Sequence, residues 1–100
     1  MEYPDPVLEC EGDWGKVSKF VMAEPNRSVI ANMHSGKWIA ISGANGIVAT
    51  ACSLESLKRR TQPENLDYIL KAIGGSRSNS ITAYLKIKPH GGEGNDNGKV

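Results

Sequence analysis

The sequence is short of the residues from which catalytic and metal sites are built. Its 100 residues include two histidines, two cysteines and few aromatics: two tryptophans, three tyrosines and one phenylalanine. Neither sign of charge dominates. Twelve lysines and arginines against 11 aspartates and glutamates leave a net charge of +1, which gives no bulk attraction to nucleic acid or an anionic membrane. No apolar run approaches the roughly 20 residues that a membrane helix needs, so no membrane partner is expected. Met1-Glu2-Tyr3-Pro4-Asp5-Pro6 has neither the basic nor the apolar region of a secretory leader, and a cytoplasmic location is the expectation. In that setting Cys10 and Cys52 are expected as free thiols. The sequence has no Cys-x-x-Cys, His-Glu-x-x-His or acidic calcium-loop pattern, so neither a metal nor a cofactor is expected. A phosphate loop fails on spacing, because in the glycine-rich segment 92–99 the first required glycine falls on Glu93.

What the chain does have is an apolar stretch broken by a glycine turn, Gly36-Lys37-Trp38-Ile39-Ala40-Ile41-Ser42-Gly43-Ala44-Asn45-Gly46-Ile47-Val48-Ala49-Thr50-Ala51-Cys52. Asn45-Gly46 tolerates the positive φ that a tight hairpin turn requires, so strands at about 37–42 and 47–52 are expected to pair across it. Two registers fit. Closing around Asn45-Gly46 sets Ile41 opposite Thr50; a four-residue loop from Gly43 sets it opposite Val48. Both registers place Ile39, Ile41, Val48 and Thr50 on one face and Trp38, Ala40, Ala49 and Ala51 on the other. Neither face is polar, so both need cover. The Ile/Val face suits a main core, and the alanines admit a closely packed helix with Trp38 at its margin.

Around this hairpin the chain divides into an extended N-terminal arm (1–12), a single α+β domain (13–89) and a disordered tail (90–100) with almost no apolar content. Val7–Cys10 has the material for a short edge strand. Asp13 caps a helix whose Trp14, Val17, Phe20 and Val21 share a face, and Pro25 ends or interrupts it. A second helix, about 26–34, turns Val29, Ile30 and Met33 inward, with Gly36 near its stop. After the hairpin, Ser53 caps a helix that buries Leu54 and Leu57 and carries Lys58-Arg59-Arg60 at its C-terminal end, where cations suit the helix dipole. Residues 64–73 fit a helix, with Pro63 at its first position, apolar Leu66, Ile69, Leu70 and Ile73, and Gly74 just past its end. Tyr68-Ile69-Leu70 before a glycine turn also fits a strand. Ile81–Lys88 alternates as a strand should, with Ile81, Ala83, Leu85 and Ile87 inward and Thr82, Tyr84, Lys86 and Lys88 outward. The expected class is α+β: a small antiparallel sheet built on the hairpin and a C-terminal strand at about 81–88, packed with two to four short helices.

The run Gly36-Lys37-Trp38-Ile39-Ala40, a glycine turn, Ile47-Val48-Ala49 and then Ser53-Leu54-Glu55-Ser56-Leu57 resembles a group of small prokaryotic proteins of unknown function. Their shared core is G-K-W-(V/I)-A, a turn, (V/I)-V-A and S-L-E-x-L. The resemblance covers about residues 29–60 and implies a prokaryotic or phage source. It also implies that the segment after the helix returns as a strand, and it brings no catalytic residues with it. Trp38–Ala51 is also similar, over a shorter span, to roadblock and profilin-like modules, which implies dimerisation or scaffolding.

The residues themselves bound the function. His34 near Cys52 is the one nucleophile–base combination that the fold could assemble, although a buried thiol and a surface imidazole account for the pair more simply. His90, among glycines, reads as solvated. Lys58, Arg59, Arg60, Lys86 and Lys88, interleaved with Tyr84, support an alternative reading as a nucleic-acid-binding surface. Against that stands the ordinary solubilising role of such charges on a helix end and an edge strand. The leading expectation is a small non-catalytic protein-interaction module: an accessory, regulatory or phage-encoded inhibitor protein that contacts another protein or a second copy of itself. Trp38, Tyr84 and Trp14 are its expected contact residues, because large aromatics are typical binding anchors.

Overall fold

The computed structural model describes residues 6–43, 45–75 and 81–89. Residues 1–5 of the expected arm, the expected disordered tail and His90 lie outside the described residues. Eight elements follow in order: β1 (Val7–Gly12), α1 (Trp14–Met22), α2 (Asn26–Met33), β2 (Trp38–Ser42), β3 (Gly46–Ala51), α3 (Leu54–Arg60), α4 (Pro63–Ala72) and β4 (Ala83–Ile87). The strands form one open antiparallel sheet in the order β1-β4-β2-β3. The α+β class, the hairpin and the C-terminal strand are therefore as expected, and β1 extends the folded unit N-terminally past residue 13. The C-terminal strand is not at an edge. β4 lies between β1 and β2, and Leu85 and Ile87 are fully buried.

Helices cover both faces of the sheet. On one, Val17 and Val21 of α1 and Ile30 of α2 pack with Ile39, Ile41, Ala83, Leu85, Ile87 and Val7. On the other, Leu57 of α3 and Leu66 and Leu70 of α4 pack on Ala40, Val48 and Ala51. Burying one Leu or Ile side chain stabilises by about 1.5–3 kcal/mol, so each face needs its helical cover. Small Cβ groups at Ala40 and Ala51 let α3 lie directly over β2 and β3.

The turn after β2 is closed by the Asn45 N–H donating to the Ser42 carbonyl at 2.8 Å, with Gly46 at φ +79. The pairing follows neither expected register: Ile41 lies opposite Ile47, and Ile39 opposite Thr50. A bulge between Ala40 and Ile41 gives β3 one extra residue, Val48. The slip corrects the expected face of Val48, which joins the alanine side, while Ile47 packs toward the isoleucines.

Local signals explain the helix ends. Asp13 accepts the Lys16 N–H at 3.2 Å, and Ser53 accepts that of Ser56 at 3.2 Å. The α2 cap comes from an unanticipated residue. Glu24 Oε1 accepts both the backbone N–H of Ser28 (3.1 Å) and its hydroxyl (2.8 Å). Segment 63–72 is helical, not the returning strand implied by the prokaryotic likeness, with Pro63 at its first turn and Gly74 at φ +69 beyond its end. Val29 and Met33 were expected inward but are 40% and 70% exposed. They lie one and three residues from Ile30 on a short helix that has only one face against the core. Ile73, past the end of α4, is also exposed.

Gly12 joins β1 to α1 at φ +126, and a Cβ there would sit 2.6 Å from the Thr82 carbonyl oxygen and 2.8 Å from Ala83 Cα. Both obstacles are backbone and cannot rotate away. Gly12→Ala is expected to cost about 2 kcal/mol or more in urea denaturation; an unchanged midpoint would contradict this placement of β1.

Hydrogen bonds from the Ser28 hydroxyl and backbone N–H, with the Arg27 charge adding to them, hold the Glu24 carboxyl below its ordinary 4.5. A depressed carboxylate stabilises the fold above 4.5, and the contribution is lost as pH falls through its lower folded value. Glu24→Gln is therefore expected to lose less stability than wild type between neutral pH and strongly acid solution, read from denaturant midpoints.

Candidate functional site

On the α3/α4 side, the helical cover lies over β2 and β3, and burial falls off toward β1. Ala40, Val48 and Ala51 are buried, Trp38, Tyr84 and Lys86 are half-buried, and Glu9 and Glu11 are exposed. Strand alternation lines these side chains up in two cross-strand rows. One row runs Glu9, Lys86, Trp38; the next runs Glu11, Tyr84, Ala40. The outcome is a strip of two aromatics among four charges, counting Lys58, which reaches over from α3.

The strip is held by polar contacts. Lys58 Nζ is ion-paired with Glu11 and stands 5.9 Å from the Tyr84 ring centroid. Thr61 Oγ1 donates to the Leu57 carbonyl at 2.9 Å. That uses its one proton, so the Tyr84 hydroxyl donates to Thr61 Oγ1 across 3.2 Å. Lys86 Nζ donates to the Gly36 carbonyl at 3.3 Å. Within the strip, the Glu9 carboxylate has no ion pair and the Trp38 indole N–H has no acceptor among the described residues.

Of the expected interface residues, the strip unites Trp38 and Tyr84, both packed on the α3/α4 core. Trp14 lies on the opposite side of the sheet, against the α1/α2 core. Of the basic residues, only Lys58 and Lys86 belong to the strip. Arg60 donates to the outward-facing Thr50 carbonyl of β3 at 3.0 Å, Arg59 pairs with Glu55 at 3.9 Å, and the backbone N–H of Lys88 bonds the Pro6 carbonyl at 2.6 Å. Glu9 and Glu11 escaped sequence reasoning because β1 shows its neighbours only once β4 is paired with it. Tyr68, one of the large aromatics that so small a core need not hide, is 80% exposed on α4 above a shallow hollow lined by Glu64, Asp67 and Lys71, away from the strip.

Burial, with Asp13 nearby, pushes the Cys10 thiol up, away from thiolate. Cys52 is exposed and shares no hydrogen bond with His34, whose imidazole pKa is lowered by burial and then by the Lys37 charge. No helix among the described residues is long and apolar enough to cross a membrane. Compared with protein-family models, with curated proteins and with solved structures, the chain matches none.

The Glu11 hydrogen bond, followed by its charge, raises the Lys58 pKa above the ordinary 10.5. A raised ammonium stabilises fully below 10.5, and the contribution disappears as pH climbs through the higher folded value. Lys58→Met is accordingly expected to flatten the alkaline limb of the stability–pH curve; an identical limb would mean that the pair does not tether α3 to β1.

Proposed function

We propose that this protein is a non-catalytic protein-interaction module and that its contact surface is the Trp38/Tyr84 strip. The observation supporting this is the unfinished cover of the α3/α4 side: two half-buried aromatics sit where the helices stop, flanked by Glu9, Glu11, Lys58 and Lys86. Anchors of this kind, packed at the base and open at the top, lose little rotamer freedom on binding, and Trp and Tyr are the residues in which binding energy concentrates. The unpaired indole N–H and the unpaired Glu9 carboxylate supply direction. An accessory, regulatory or inhibitory role follows from binding without chemistry. The basic residues do not favour the nucleic-acid alternative, because Lys58, Arg59 and Arg60 each have an intramolecular acceptor.

The test combines sedimentation with capture from extracts of the source cell. Wild type is expected to assemble with itself or retain a protein, and Trp38→Phe, which keeps an aromatic ring but removes the pyrrole ring with its N–H donor, should weaken that contact about fivefold to tenfold. A strict monomer that retains nothing sinks the proposal.

A further inference from the structure

We infer that the occupant of the strip is a second copy of this chain, docked face to face about a two-fold axis running parallel to the strands between β1 and β4. This rests on the strip being an interface and goes on to name what fills it. The argument is charge order. Across the strip the sign reverses from Glu9 on β1 to Lys86 on β4, while Glu11 is already neutralised by the Lys58 ammonium seated on it. A two-fold interface brings the same patch of both copies together, so the patch must complement itself.

Only one placement of the axis achieves that. An axis running across the strands lays the Glu9 row over the Glu11 row and opposes carboxylates. An axis along β4 itself sets Lys86 against Lys86 of the second copy. An axis between β1 and β4 keeps each row in register, so Glu9 meets Lys86 of the second copy and the reciprocal pair forms across the axis. In the adjacent row Glu11 meets Tyr84 of the second copy. Lys86 has the capacity for this contact, since an ammonium has three protons and one long bond to the Gly36 carbonyl uses only one. Glu9 has no ion pair to give up. Trp38 of each copy then flanks the outer edge of the other copy's β1, which carries no further strand among the described residues.

Charge reversal tests this on the full chain by sedimentation equilibrium, with circular dichroism confirming the fold of each variant. Wild type should be a concentration-dependent dimer. Glu9→Lys and Lys86→Glu should each raise the dimer dissociation constant by about tenfold or more, because each places like charges opposite one another twice. The double variant Glu9→Lys/Lys86→Glu should recover to within a few-fold of wild type. Because Glu9 and Lys86 are also cross-strand neighbours within one copy, the single variants' denaturation midpoints must stay near wild type while their dimers weaken. A parallel loss and recovery of monomer stability overturns the assignment to the interface. Should Lys86→Glu fail to fold, Glu9→Lys carries the test alone, since Glu9 is exposed and unpaired. A wild type that stays monomeric, a single reversal that dimerises normally, or a folded double variant that stays monomeric overturns the inference. A monomer that retains another protein, and loses it on Glu9→Lys, removes the second copy and leaves the interface reading standing.

Discussion

The structure depends on β4 entering between β1 and β2. The β2–β3 hairpin is a local pairing, and a two-stranded hairpin in water is marginally stable at best. β4 turns it into a sheet and gives β1 its only strand partner among the described residues. The insertion joins segments far apart in the chain, so its loop-closure cost must be offset by what the strand buries. Ala83, Leu85 and Ile87 meet that requirement at 0–1% exposure against α1 and α2. The same alternation sends Tyr84 and Lys86 to the other side. The strip is thus a consequence of how the core is made: a strand with one face committed to the interior must present its other face somewhere, and the helices of that side stop short of it.

Unequal cover of the two faces has a simple origin. The isoleucine face is wide, drawing residues from β1, β4 and β2, and it takes both α1 and α2. The alanine face is narrow, centred on Ala40, Val48 and Ala51, and is filled by Leu57 of α3 with Leu66 and Leu70 of α4. Seven residues of α3 cannot span four strands. Its outer margin is finished by polar reach, Lys58 to Glu11 and Thr61 to Tyr84, rather than by apolar packing. Polar reach leaves side chains wet at one end and seated at the other, which is the condition of a surface prepared for a partner.

Elements with a local cause could be read from the sequence. Asp13 and Ser53 cap, Pro63 opens and Gly74 closes their helices through hydrogen bonds and dihedrals that span only a few residues. The alternation of Ala83–Ile87 likewise identified a strand and its buried side, although Ile81, expected inward with them, lies before the strand and packs against the α3/α4 core instead. Features with a non-local cause could not be read. The strand order needs the partner of β4, which no pattern in 81–88 encodes, so the strand was expected at an edge. The bulge at Ala40/Ile41 depends on how three strands twist together, and one inserted residue was enough to send Val48 to the opposite face. Val29 and Met33 have the spacing of a helix interior; only the position of α2 at the rim exposes them. Four of the strip's six side chains, Trp38, Tyr84, Lys58 and Lys86, were visible. Its acidic pair was not, because Glu9 and Glu11 acquire meaning only through register with Lys86 and Tyr84.

The two edges of the sheet bear on the proposed placement of a contact on a face. A flat unpaired edge is the usual invitation to strand addition. Here β1 is bulged between Val7 and Glu9, and β3 contains the Val48 bulge and has its Thr50 carbonyl occupied by Arg60. Both interruptions lie in the outer strands, where they oppose edge-to-edge growth. The uncovered face has no such guard. Its aromatics are seated against the core and its charges differ in sign from β1 to β4. A chain that blunts its edges and leaves one face ordered but uncovered favours a closed, saturable contact over open-ended stacking, because one occupied face leaves no second copy of itself to recruit the next molecule.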